Sequence, residues 1–152
     1  MGAQSAQTGK TWLSQFWAGH FASDAAFEAF VKENHEAYYS DANDEGDGPL
    51  PLSQFAGSQG QRWYDHDFME VGKVGTSAVP NKAICASYSE QWAEEFVRRA
   101  AAAAITPTHF IMVGVDRPTG GPKYRQFSQP ASFTGPDFAL IYLGEIEYED
   151  YQ

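Results

Sequence analysis

The chain has 152 residues, which at about 100–200 residues per domain leaves room for one domain and excludes a catalytic domain with a separate cofactor domain. Hydrophobic residues make up 43% and aromatics 15%, enough apolar surface for one core, so a globally disordered chain is excluded. Ten Lys and Arg against twenty Asp and Glu leave a net charge of −10 at pH 7, which disfavours direct binding to nucleic acid and favours a basic protein partner or simple colloidal solubility.

Residues 1–10 are small and polar and read as a flexible N-terminal arm, with a single domain over residues 11–152. Met1 to Thr11 has no apolar h-region, and no stretch approaches 18 uninterrupted apolar residues. No signal peptide or membrane span is therefore read, and a cytoplasmic location is expected. The aromatics of Trp12 to Ala18 predict a strand that Gly19 ends. Ser23 is placed to cap a helix, Asp24 sits in its first turn, and Phe27, Phe30 and Val31 follow at i, i+3, i+4. This predicts an amphipathic helix reaching Ala37 or Tyr38.

From Ser40 the chain reads SDANDEGDGPLP, too rich in Asp, Gly and Pro for regular structure, and is expected to be an acidic loop. Ser53 to Ala56 reads as a short turn or helix. In Trp63 to Val71 a strand alternation puts Trp63, Asp65, Asp67, Met69 and Val71 on one face, with Tyr64, His66, Phe68 and Glu70 on the other. Residues 72–82 read as a loop. Ser87 with Glu90 fits a capping box for a second helix, Ser89 to Ile105, whose Trp92, Phe96 and Ala100 form an i, i+4, i+8 stripe before Pro107. Phe110–Val115 and Phe138–Tyr142 are the most strand-like runs. The long loop between them has room for a hairpin around Tyr124 to Phe127.

The order strand, helix, strand, helix, strand, strand predicts an α+β domain. Its expected form is a two-layer α/β sandwich, a mixed or antiparallel sheet with two principal helices on one face. The Trp92, Phe96 and Ala100 stripe is expected to press on Phe110, Met112, Leu140 and Tyr142.

Chemical groups are densest at Asp65, His66, Asp67 and Glu70. Two carboxylates on one strand face can hold a divalent cation or share a proton, but a closed metal site needs ligands from elsewhere in the fold. A charged recognition surface and plain capping are the competing readings. Flanking Trp63, Tyr64 and Phe68 favour recognition, because aromatic anchors are common in interfaces. His20, His35, His66 and His109 are too widely spaced for a zinc motif, and Cys85 is a solitary cysteine that reads as a small buried hydrophobe. No phosphate-binding glycine motif and no GxSxG is present. No catalytic, cofactor-binding or metal-binding residue is therefore assigned, and no cofactor is expected. Acidic runs do stand out: Glu28, Glu33, Glu36, Asp41, Asp44, Glu45 and Asp47 against Lys32 alone, and Glu145, Glu147, Glu149 and Asp150 near the end. Such blocks are solvated surface or steer a basic partner.

Taken together, Phe16 to Phe21, the helix with Phe27 and Phe30, Leu52-Ser53-Gln54-Phe55-Ala56, Trp63 to Glu70, Ser87-Tyr88-Ser89 and the closing strands resemble the immunity protein 22 family of bacterial polymorphic toxin systems. The resemblance runs from Phe16 to Tyr148 and maps the family's tryptophan and glycine to Trp17 and Gly19, its S-x-F segment to Ser53 and Phe55, and its acidic strand to Asp65, Asp67 and Glu70. It implies a protein that binds and neutralises a cognate toxin, often a nuclease, inside the producing cell, with no enzymatic residue. The expected partner-binding residues are Trp63, Tyr64, Asp65, Asp67 and Glu70 with Asp41, Asp44, Glu45 and Asp47 of the loop. The alternative is a small metal-dependent hydrolase using Asp65, Asp67 and a spatially adjacent His.

Overall fold

Lys10–Phe21 forms β1, the strand on which the sheet is assembled. In the computed structural model, which describes residues 10–38, 51–115 and 125–150, it is followed by helices α1 (Asp24–Val31), α2 (His35–Tyr38) and α3 (Gln54–Ser58). A 3₁₀ turn at His66–Phe68 leads into β2 (Met69–Lys73). Helices α4 (Pro80–Ala83) and α5 (Ser89–Ala102) come next, then strands β3 (His109–Gly114), β4 (Phe133–Thr134) and β5 (Phe138–Asp150). The five strands form one sheet in the order β2-β3-β1-β5-β4, with every pairing antiparallel. The α+β class and the antiparallel sheet are as the sequence predicts.

The layering is fuller than a sandwich with both principal helices on one face. Alternation along β1 and β3 sends Trp17, Phe21, Ile111 and Val113 to one side, where Phe27, Phe30, Phe55, Tyr64 and Phe127 meet them. Phe16, Ala18, Phe110 and Met112 go to the other side and meet Ala83, Ile84, Trp92, Phe96 and Ala100. Helices α1 and α3 thus cover the first face, and α4 and α5 the second. A central strand covered on both sides needs apolar residues at successive positions, and Phe16, Trp17 and Ala18 are all fully buried. The stripe on α5 does press on Phe110 and Met112, but Leu140 and Tyr142 belong to the opposite core.

The reason lies in β5. Its pairing with β1 shifts between Phe16 and Trp17, so that Tyr142 lies opposite Trp17 and Gly144 opposite Phe16, with Leu143 as the extra residue. An extra residue reverses the alternation. Before the bulge Leu140 and Tyr142 face the α1 side; after it Ile146 and Tyr148 face the α5 side. Gly144 has φ +96°, and a Cβ there would lie 3.0 Å from Arg99 Nη1. That nitrogen donates to the carbonyls of Leu143 and Glu145, each at 3.0 Å. Glu95, one turn before, holds the same guanidinium at Nε, 2.6 Å away. Further along the same edge, Gln91 donates to Glu149 O at 2.6 Å and accepts from Glu149 N at 2.7 Å. Side chains of α5 therefore occupy backbone groups that a neighbouring strand would otherwise use.

Local signals explain most element ends. Ser23 caps α1, its Oγ accepting from Ala26 N at 3.1 Å. The helix stops at Val31 rather than Tyr38 because Asn34 N leaves the helical pattern to bond Leu52 O at 2.7 Å. Ser53, with the same geometry as Ser23, caps α3. Ser87 does not cap α5: the N-cap is Tyr88, left-handed at φ 59° and without a side-chain cap. The opposite end closes with Ala104 at φ 61°, Ile105 N bonding Ala100 O at 3.0 Å and Ala104 N bonding Ala101 O at 2.9 Å. Those two bonds are a Schellman closure, which explains why α5 ends before Ile105 without needing Pro107.

Candidate functional site

The second face of the sheet extends beyond the start of α5, and what the strands carry there is small. Ser14 on β1 lies opposite Gly114 on β3, one alternation step beyond Phe16 and Met112, which are buried under α5. Replacing large side chains by Ser and Gly where the helix has ended leaves a concavity of about 310 Å³. Trp12, Met112 and Val115 line it from the sheet, Asp67, Phe68, Met69 and Glu70 from the turn and β2, and Ser87, Tyr88 and Tyr148 from the far side. Ser14 Oγ and Tyr148 Oη are hydrogen bonded at 2.8 Å, and the Tyr88 and Tyr148 rings pack with centroids 5.7 Å apart. The walls are thus aromatic, and two carboxylate residues stand among them.

The predicted strand over Trp63–Val71 is in part a turn, and this separates the two aspartates. Asp65 precedes the 3₁₀ turn and its Oδ1 accepts from Asp67 N at 3.0 Å, the capping use of an aspartate before a tight turn. Gln126 holds the Asp65 backbone from the other side, Oε1 accepting from its N–H and Nε2 donating to its carbonyl at 3.3 Å. Asp67 is exposed and lines the groove. Glu70 also lines it, and its Oε2 accepts from Ser87 N at 3.1 Å, placing a carboxylate beside the N-terminal end of α5, where negative charge is stabilised. Trp63 is 47% exposed, but Tyr64 is 1% exposed and belongs to the α1-side core. Its hydroxyl meets Ser53 Oγ at 3.3 Å, and burial pushes its pKa up. It is a packing residue rather than a surface anchor. Asp41, Asp44, Glu45 and Asp47 lie outside the described residues.

Residues from other parts of the sequence complete the surroundings. Glu33, between α1 and α2, meets His66 Nδ1 at 2.7 Å through Oε2 and His35 Nε2 at 3.2 Å through Oε1. Its carboxylate raises the His66 pKa, chiefly by the hydrogen bond. The 3₁₀ turn that presents Asp67 and Phe68 is thereby tied to the end of α1. Phe68 is 45% exposed. Trp12, Ser14, Gly114 and Tyr148 carry no sequence signal of a site, because their shared surface arises only from the pairing of β1 with β3 and from the bulge in β5.

The hydrolase alternative calls for Asp65, Asp67 and a histidine to come together. Among the described residues no group of three or more His, Cys, Asp and Glu is arranged to hold a metal ion, and His66 is engaged with Glu33, not with Asp65 and Asp67 as a ligand set. A second polar cluster, Asp24, Lys73, Thr108 and His109, superficially resembles a catalytic triad. His109 is 3% exposed, with Nε2 2.9 Å from Asp24 Oδ1 and Nδ1 2.8 Å from Thr108 Oγ1. Thr108 Oγ1 also accepts from Phe21 N at 2.9 Å and donates to Gly19 O at 3.2 Å. Its hydroxyl is thus committed to fastening the end of β1. The Asp24 pKa is lowered, first by the hydrogen bond from Lys73 and then by that from His109. Cys85, expected to be buried, is exposed.

Among the described residues no helix is long and apolar enough to cross a membrane. A family model described as Immunity protein 22 matches residues 15–149, so the chain belongs to that family. No curated protein and no solved structure matches it.

Proposed function

We propose that this member of the Immunity protein 22 family binds a cognate toxin domain directly and neutralises it in the cytoplasm of the producing cell, as an inhibitor with no turnover of its own. The observation that carries the reading is the family match over residues 15–149. The acid-rimmed aromatic groove is the surface that best fits it, with Asp67, Glu70 and Phe68 among its lining and Asp65 capping the turn that presents Asp67. A net charge of −10 draws an electropositive partner into encounter. If the toxin is a nuclease, its substrate channel is electropositive by necessity, and carboxylates compete there with phosphate.

The test is co-expression of the chain with the toxin domain encoded immediately upstream, followed by size-exclusion chromatography and titration calorimetry at about 0.05 and 0.5 M salt, which spans strong to weak screening. The expected result is rescue of growth, a co-eluting pair, and weaker association at high salt. A toxin that elutes alone, or that kills the cells despite folded partner protein, overturns the proposal.

A further inference from the structure

We propose that the groove beyond the N-terminal end of α5 receives one arginine side chain of the toxin. This rests on the reading of the chain as a toxin-binding immunity protein and names the chemistry of the contact. A volume of about 310 Å³ stands at the small end of ligand pockets, which run from about 300 to 1,000 Å³, and suits a single inserted side chain rather than a helix. Its lining selects which one. Trp12, Phe68, Tyr88 and Tyr148 supply aromatic rings, and a guanidinium stacks on ring faces better than an ammonium does. Asp67 supplies a carboxylate able to take the planar fork in two parallel bonds. Glu70 adds negative charge while its Oε2 accepts from Ser87 N, which offsets the positive end of α5 and keeps the groove from favouring an anion. The floor at Ser14 and Gly114 is low because neither side chain fills it.

Three variants separate the contributions. Asp67→Asn removes the charge, Phe68→Ala removes an exposed ring, and Gly114→Ala raises the floor; a Cβ at Gly114 would approach no atom closer than 3.6 Å, so that fold should be retained. Glu94→Gln, an exposed acid on α5 that does not line the groove, is the control for loss of charge alone. Against the upstream-encoded toxin domain, each groove variant is expected to bind at least about tenfold more weakly with an unchanged melting curve, and the control to bind within about twofold of the parent. In a second arm, a blocked Gly-Arg-Gly peptide is titrated into the full chain and followed by NMR. It should shift the Trp12 indole and Gly114 amide signals, whereas the citrulline peptide, which is isosteric but uncharged, should not.

Groove variants that bind as tightly as the parent overturn the inference while leaving the proposed function standing. Equal weakening by Glu94→Gln overturns it too, because the effect is then general charge. Weakened toxin binding with no response to the arginine peptide overturns the assignment of the cation. If the parent fails to bind the toxin, the proposed function falls and with it the toxin as the source of the arginine. The peptide arm then decides the cation preference of the groove by itself.

Discussion

The two faces of the sheet are built from similar residues and end differently. On the α1 side Trp17 packs edge-on against Phe55 and Phe127 with centroids 5.1 and 5.5 Å apart, those two rings meet tilted at 5.2 Å, and the layer is closed by Phe21, Phe30 and Phe138. On the α5 side Phe16, Trp92, Phe96 and Phe110 form a comparable cluster. There the helix starts too late to cover the whole face, and Ser14 and Gly114 lie beyond it. The first face thus commits most of its aromatic residues to packing, with Phe133 at its edge left exposed. The second divides them between a core and an open wall, so packed and open aromatic surface sit at opposite ends of one face.

The comparison breaks most readily in the cores. Trp17→Ala and Phe96→Ala remove fully buried rings and should each cost about 3–5 kcal/mol in urea melts. A loss below about 1 kcal/mol for Phe96→Ala would place the α5 stripe at the surface and undo the equivalence of the two cores. Next in size is Arg99→Ala, which strips the donors from Leu143 O and Glu145 O and should cost about 1–3 kcal/mol. An unchanged melt would mean that the bulge holds without its arginine. Ala104→Gly relieves a left-handed alanine and should raise stability by about 1 kcal/mol; destabilisation would argue against the Schellman closure.

The smallest effect concerns pH. The folded-state pKa of His66 is raised by Glu33, so the imidazolium contributes stability that is fully present below its unfolded pKa of about 6.5 and is lost as pH rises through the raised folded value. Titration of the His66 ring by NMR should show Glu33→Gln bringing it back toward the ordinary value. No change would detach the turn from α1.

Local chemistry made some elements readable from sequence, and long-range pairing hid others. Ser23 before Asp24, with Phe27 and Phe30 one turn apart, is a complete helix signal within eight residues, and α1 begins where it says. Phe110 to Val115 reads as a strand because almost all of its residues are large and apolar, and Phe110 to Val113 are buried in β3. Trp63 to Val71 misled because a capped 3₁₀ turn running into a short strand mimics two-residue alternation. The D-x-D spacing there marks Asp65 as a turn cap before it marks a carboxylate pair. Tyr64 reads as an anchor from its neighbours, whereas its place is decided by Ser53 and Phe127, far away in sequence. The groove was only half legible. Its acids Asp67 and Glu70 stand out in sequence, but its floor and the position of Tyr148 depend on which strand lies beside which.

The extra residue at Leu143 makes β5 a strand with two identities, and this sets how the gene tolerates changes in length. Deleting one codon at 143 would remove the extra residue and keep the pairings on either side of it, Tyr142 opposite Trp17 and Gly144 opposite Phe16, so Tyr142 would stay on the α1 side and Ile146 and Tyr148 on the α5 side. Deleting one codon at 145 would instead move Ile146 to the place opposite Gln15 and Tyr148 to the place opposite Leu13, turning both toward the α1 side and taking from the groove its Tyr148 wall, from α5 part of its seat and from Arg125 its carboxylate partner. A lesion of three nucleotides is therefore absorbed at the bulge, yet two residues later it reaches the α5-side core and the groove together.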